Sequence, residues 1–98
     1  MSVKLLIDNE TAPVVGSEGT SFIKPANDFY LTLSAAGLQG AEEIVVEFEN
    51  VDGSWEPATN NDGDVKLTAE KRQVLIIGTG RYRVSKGTTT SAVSVGVQ

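Results

Sequence analysis

The sequence predicts a single all-β domain, a small antiparallel β-sandwich of about seven or eight short strands. Apolar residues alternate with other residues in several short segments, which is the period of a strand with one buried face. Residues that favour turns separate most of these segments, and no stretch keeps a helical period. At 98 residues the chain has the length of one domain.

The N-terminal part is predicted to be a strand followed by a loop or arm. Val3, Leu5 and Ile7 occupy alternate positions and form the first strand candidate. Residues 10–19 show no periodicity, which is typical of an exposed loop or a mobile arm. We therefore separate residues 1–19 from a sandwich over residues 20–98, within which residues 20–24 are a weaker strand candidate.

The middle of the chain supplies most of the predicted strands and turns. Asp52-Gly53 predicts a two-residue type I′ turn, and residues 68–72 predict a short turn. Residues 35–43 (AAGLQGAEE) are interpreted as a loop, because two glycines interrupt any helix there. Val74–Ile77 is apolar throughout, as in a strand covered on both faces. The predicted inward residues are Phe29, Leu31, Leu33, Ile44, Val46, Phe48, Val65 and Leu67.

The chain ends in two alternating runs, Arg81–Ser85 and Ala92–Val97, separated by a small polar loop. We interpret them as a terminal β-hairpin whose last strand completes the core.

Composition excludes several classes of chemistry. The chain has no cysteine and no histidine, so disulfides, thiolate sites, histidine-based triads and HExxH zinc sites are excluded. A net charge of −5 with scattered basic residues argues against nucleic acid as a partner. We expect no cofactor and no catalytic activity.

The N-terminal sequence carries no targeting or membrane signal. Its apolar run Leu5–Ile7 is too short for a signal peptide or a membrane span. We expect a complete product that starts at Met1, is made in the cytoplasm and contacts no membrane.

A polar loop around Asn60, Asp62 and Asp64 resembles a calcium loop only in part. Oxygen-bearing side chains recur at alternate positions with Gly63 among them, but no closing glutamate follows. An ordinary β-turn explains the same residues, and we expect no metal site.

Two other features have a functional and a structural interpretation. Glu43, Glu47 and Glu49 share one strand face, where paired carboxylates can hydrolyse glycosides, although a solvated sheet face with like charges is commoner. Trp55 either binds a sugar or a protein partner, or packs at one end of the core.

The hydroxyl-rich loop of Thr88, Thr89, Thr90 and Ser91 is either a plain connection or a contact surface, since loops at the ends of sandwiches often bind partners.

The run Ile77–Val84 (IGTGRYRV) resembles the tyrosine corner of immunoglobulin-like and fibronectin-like sandwiches. In that family a tyrosine at the start of a strand donates a hydrogen bond to the backbone just upstream, a role that the resemblance gives to Tyr82. The segment Ile44–Trp55 resembles a central hairpin of the same fold. The usual proline at the corner and the usual tryptophan in the central strand are absent.

Residues 80–84 (GRYRV) and 91–97 (SAVSVGV) also resemble the C-terminal half of small bacteriophage virion proteins. This resemblance implies a non-enzymatic capsid decoration protein, assembled in the host cytoplasm and located in the virion. Its partners would be the phage major capsid protein and further copies of itself, for example in a trimer. The predicted contact residues are Val3, Leu5, Ile7, Pro13, Val14, Val15, Trp55, Thr88, Thr89 and Thr90.

Two alternatives stay open. A carbohydrate-binding module would use Trp55, Tyr30 and calcium at Asp62 and Asp64. A phage tail or adaptor component would share every sequence feature of a capsid protein.

Overall fold

The computed structural model describes residues 3–15, 20–60 and 63–98, and the elements that lie wholly within these ranges are all β-strands. The prediction of an all-β domain is confirmed. The strands are more numerous than predicted, because the segment after Trp55 forms several very short ones. They are β1 (Lys4–Glu10), β2 (Ser21–Lys24), β3 (Leu31–Ala36), β4 (Glu43–Glu49), β5 (Trp55–Pro57), β6 (Thr59–Asn60), β7 (Gly63–Asp64), β8 (Lys66–Thr68), β9 (Gln73–Ile76), β10 (Gly80–Lys86) and β11 (Val93–Val97).

The strands form two main antiparallel sheets. Sheet 1 has the order β1-β11-β3-β9. Sheet 2 has the order β2-β10-β4, with β5 and β8 sharing the outer edge of β4. The strands β6 and β7 make a separate two-stranded ribbon. This arrangement is a small antiparallel β-sandwich.

The core lies between the two sheets and is built from the alternate positions of their strands. Leu33, Ile44, Val46 and Leu67 are fully buried, as the alternation predicts. Burial of each such side chain contributes about 1.5–3 kcal/mol. Phe29 does not follow the prediction, because it precedes β3 and is 93% exposed.

Strand β1 contains an irregularity that the sequence pattern did not predict. Leu5 pairs with Gly96 and Ile7 pairs with Val95, so the register shifts between them. As a result Leu5 is exposed while Leu6 and Ile7 are both buried, as expected where a bulge breaks the alternation. The prediction of Ile7 as a contact residue is wrong, because its side chain belongs to the core.

The predicted terminal hairpin is also wrong. Strand β10 lies between β2 and β4 in sheet 2, so neither of its edges is free for β11. The chain crosses to sheet 1, where β11 pairs with β1 and β3. Both strands still bury their apolar positions, as predicted, including Val84, Val93 and Val95.

The strand order agrees only in part with the immunoglobulin arrangement. The pairs β3–β9 and β4–β10 correspond to the B–E and C–F pairs of that fold. The last strand departs from it, because strand G of an immunoglobulin domain pairs with F in the same sheet. The chain has the central pairing of an immunoglobulin sandwich and a different outer strand order.

The connection between β4 and β5 is a turn, as predicted, but not a two-residue turn. The amide of Gly53 donates to the carbonyl of Asn50 over 2.9 Å, and the amide of Asn50 donates to the carbonyl of Ser54 over 2.7 Å. Gly53 alone in this turn has positive φ, at 87°. A type I′ turn needs positive φ at both central residues, so this connection is a three-residue loop that ends in a left-handed glycine.

The segment after β1 is attached to the sandwich as far as it is described. Val14 and Lys86 exchange two backbone hydrogen bonds of 3.0 and 2.9 Å. The amide of Thr89 donates to the carbonyl of Thr11 over 3.0 Å. Residues 11–14 thus form a loop that is hydrogen-bonded to the sandwich. Residues 16–19 lie outside the described part.

Candidate functional site

The tyrosine corner is present. The Tyr82 hydroxyl donates to the Gly78 carbonyl over 2.7 Å, which confirms the structural role predicted for Tyr82. Its ring stacks on Phe22 with centroids 5.6 Å apart. Partial burial raises the pKa of Tyr82, so the hydroxyl remains a proton donor at neutral pH.

Beside this corner a cleft of about 420 Å³ opens between the two sheets, along strand β9. Its apolar lining includes Phe48, Val65, Ile76 and the ring of Tyr82. The polar lining comes from Thr59, Asn60 and Thr79, and no charged side chain lines the cleft within the described residues. The volume lies in the range of small-ligand pockets, about 300–1,000 Å³.

The outer face of β9 continues this apolar surface. Leu75 and Ile77 are 50% and 66% exposed. Together with Tyr30 and Thr32 they line a shallow groove that also includes Lys71. The prediction that Val74–Ile77 is covered on both faces is wrong, because Leu75 and Ile77 are exposed and only Val74 and Ile76 are buried in the core.

Strand β9 also offers hydrogen-bonding groups. The amide of Ala35 donates to the carbonyl of Arg72. Along an antiparallel strand, every second residue bonds the neighbouring strand, so the backbone groups of Val74 and Ile76 also point towards β3. The backbone groups of Gln73 and Leu75 therefore point away from sheet 1, and neither residue pairs with a strand other than β3 in the described part. We call this strand, its cleft and its outer groove the β9 surface.

Two of the predicted contact residues lie at the opposite edge of sheet 1. Val3 and Leu5 are 50% and 52% exposed. They cover Gly96, since a Cβ atom at that position would lie 2.5 Å from the Val3 Cγ1 atom and 3.8 Å from the Leu5 Cδ2 atom. They share the outer face with Leu75, but strands β11 and β3 lie between.

The predicted threonine loop is largely engaged within the molecule. Thr89 is buried, and its hydroxyl donates to the Ser91 carbonyl over 2.8 Å and accepts from Lys86 Nζ over 3.2 Å. Thr90 donates from its amide and its hydroxyl to Glu42 Oε2, each over 2.8 Å. These bonds lower the pKa of Glu42. Among the three threonines of the described loop, only Thr88 is exposed and makes none of these hydrogen bonds. The contact prediction is wrong for Thr89, because its side chain is buried.

Trp55 does not pack at the end of the core. Its ring lies under the guanidinium of Arg83, with the Arg83 Cζ atom 4.4 Å from the ring centroid. Arg83 Nε in turn donates to Glu47 Oε1 over 2.8 Å. These three residues form a stack on the outer face of sheet 2.

Two of the three acidic residues in the row on β4 are paired with cations. Glu43 contacts Lys66 Nζ over 3.1 Å, and Glu47 contacts Arg83. This supports the interpretation of the row as an ordinary outer sheet face.

The residues proposed for sugar binding are not brought together. Trp55 belongs to sheet 2, whereas Tyr30 lies beside β3 of sheet 1. Asp62 lies outside the described residues, and Asp64 is exposed on the β6–β7 ribbon. In the described part no group of three or more acidic residues is placed to hold a metal ion.

The remaining predicted contacts are separated as well. Pro13 and Val15 are exposed on either side of the Val14 bridge, near the end of β10. Within the described residues, no helix is long and apolar enough to cross a membrane.

No family model, curated protein or solved structure matches this chain. Its candidate site is therefore defined by its own geometry. The β9 surface is a feature that sequence reasoning missed. The available signal was an apolar run at every position of a short strand, which fits an uncovered edge strand as well as a buried one.

Proposed function

We propose that this chain is a non-enzymatic structural protein that binds the outer surface of a phage capsid and stabilises the assembled shell. The resemblance of residues 80–84 and 91–97 to small phage virion proteins supports the virion assignment. One structural observation supports a binding role, namely the apolar β9 surface, with Leu75 and Ile77 exposed above an open cleft. Exposed contiguous apolar surface of this kind marks interaction sites.

The mechanism is thermodynamic. Packaged DNA pushes the shell outwards, and a protein that bridges neighbouring capsid subunits binds only the assembled, expanded lattice. Binding to that state alone stabilises it by mass action. Contacts that are weak individually suffice when several copies act together, for example as a trimer on a symmetry axis.

The charge of the chain fits this role. A net charge of −5 keeps an abundant surface protein soluble. The cleft and groove of the β9 surface have no carboxylate among their described lining residues. The carboxylates that would repel an acidic partner surface therefore lie away from the surface that we assign to the capsid.

Co-sedimentation with purified capsids tests the proposal. The chain should sediment with expanded capsids of the phage whose genome encodes it, and not with unexpanded ones. Ile77→Ser should weaken binding, whereas Ile23→Ser should not, although both side chains are 66% exposed. Ile23 lies on β2 in the other sheet and is the matched control.

Three outcomes would contradict the proposal. If the chain does not bind expanded capsids, the capsid proposal is wrong. If it binds only isolated tails, the chain is a tail component. Equal loss of binding in the Ile77 and Ile23 variants would remove the β9 surface from the contact.

A further inference from the structure

We infer that the β9 surface binds an extended, apolar segment of a protein partner, which adds to sheet 1 as a fifth strand, antiparallel to β9. This inference deepens the proposed binding role. It rests on that role, because it assumes that the partner is a protein. Its test uses no capsid, so its failure and that of the capsid proposal are distinguishable.

The backbone of β9 supplies the first part of the argument. Leu75 directs both its amide and its carbonyl away from β3, as does Gln73. An added strand can exchange two hydrogen bonds with each such residue. Natural edge strands are usually protected by lysine, proline or a bulge, and β9 (QVLI) contains none of these.

The side chains on both faces determine what such a segment contains. Alternate residues of an added strand lie beside the buried side chains of Val74 and Ile76, or beside the exposed side chains of Leu75 and Ile77. Both pairs of neighbouring side chains are apolar. The matching segment is therefore apolar at consecutive positions over about the four residues of β9, rather than alternating.

Charge sets the direction of the segment. Lys71, at the N-terminal end of β9, is the one charged residue among the described lining of the outer groove. In an antiparallel pair the C-terminal end of the segment lies opposite this end of β9. An acidic residue or a free C-terminal carboxylate there gains a charge-assisted contact with Lys71. All strand pairs in the described sheets are also antiparallel.

The occupant is a partner segment rather than a second copy of the chain. No segment of the described chain combines four consecutive apolar residues with an adjacent carboxylate on its C-terminal side in an unpaired strand.

The probe is a synthetic library of random heptapeptides, attached through their N-termini so that every peptide has a free carboxylate. Selection against the full chain should enrich peptides with four consecutive apolar residues followed by an acidic C-terminal end. Enrichment of polar peptides, or no enrichment, would overturn the inference. With Lys71→Gln as the target, the acidic preference should disappear, and its persistence would overturn the antiparallel orientation.

A matched pair of variants separates strand addition from simple apolar contact. Leu75→Ala and Leu75→Pro both remove the leucine side chain, but only proline removes the outward amide. Because that amide is not used by β3, proline is tolerated there as on other edge strands. Binding of the enriched peptide should fall about tenfold further in the proline variant. Equal affinities would overturn strand addition.

Amide hydrogen exchange in the unmodified chain provides a second readout, independent of whether the proline variant folds. Bound peptide should slow exchange at the Leu75 amide, which points outwards, and leave the Val74 and Ile76 amides nearly unchanged, because β3 already protects them. Unchanged exchange at Leu75 with peptide bound would overturn the inference.

Discussion

The Tyr82 hydroxyl lies 2.7 Å from the carbonyl oxygen of Gly78, and this bond spans the turn between β9 and β10. It ties the start of β10 to the connection through which the chain passes from sheet 1 to sheet 2. A Cβ atom at Gly78 would lie 3.0 Å from the same hydroxyl. The corner therefore fixes both the direction of the chain and the ring that lines the cleft.

Tyr82→Phe removes this hydrogen bond and keeps the aromatic stack on Phe22. We expect the free energy of unfolding to fall by about 1 kcal/mol. Urea denaturation measures it, with Tyr30→Phe as a control, because Tyr30 is exposed on the outer face. Similar losses in the two variants would contradict a structural role for the corner.

The features that the sequence predicted correctly depend on neighbouring residues. Alternation determines which side of a strand is buried, so the inward positions of β4, including Ile44 and Val46, were predictable. In the tyrosine corner the Tyr82 hydroxyl donates to a carbonyl four positions earlier in the chain. In the turn at Thr68–Lys71 the amide of Lys71 donates to the Thr68 hydroxyl oxygen, and the amide of Thr68 donates to the Lys71 carbonyl three positions later. Short-range geometry alone decides such features.

The choice of strand partners was not predictable in the same way. Val93 and Val95 would be buried whether β11 paired with β10 or crossed to sheet 1. That choice depends on β2, which occupies the free edge of β10 from a position about 60 residues earlier in the chain. Alternation likewise did not reveal that Leu75 lies on an edge strand. The candidate site was missed for the same reason, because an edge is a property of the whole sheet.

Gly37 and Gly40 test how tightly the loop between β3 and β4 packs. Both have positive φ, at 100° and 59°. A Cβ atom at Gly37 would lie 2.2 Å from the carbonyl oxygen of Ala92, whereas nothing lies within 4 Å at Gly40. Gly40→Ala should cost about 1–2 kcal/mol through backbone strain, and Gly37→Ala about 2 kcal/mol more through the backbone clash.

Thermal and urea unfolding of both glycine variants measure this difference. Equal destabilisation would show that the loop moves away from Ala92 without cost, contrary to the packing of this loop in the structure.

The stack of Trp55, Arg83 and Glu47 should stabilise the outer face of sheet 2. Arg83→Lys keeps the charge but loses the planar group that covers the indole and bonds Glu47. We expect a loss of about 1 kcal/mol in unfolding free energy and a change in the fluorescence of Trp55. Arg81→Lys is the control on the same strand, because Arg81 is exposed. Unchanged fluorescence in Arg83→Lys would contradict the stack.

Glu42 makes the connection between two loops dependent on pH. Its carboxylate accepts hydrogen bonds from the amide and hydroxyl of Thr90 and from the amide of Gln39. These bonds lower the pKa of Glu42 below its ordinary value in the folded chain. The unfolded chain therefore binds a proton first as the pH falls.

The sign of the pH dependence follows from this order of protonation. The stability contributed by Glu42 is fully present above about pH 4.5 and is lost as the pH falls through the lower folded pKa. Glu42→Gln, which retains one carbonyl oxygen but cannot ionise, should be less stable than the unmodified chain near neutral pH. It should also lose less of its unfolding free energy between about pH 7 and about pH 3. Urea denaturation at a series of pH values measures both effects, with Glu70→Gln as the exposed control. A pH profile of Glu42→Gln that runs parallel to that of the unmodified chain would contradict the assignment of this acid sensitivity to Glu42.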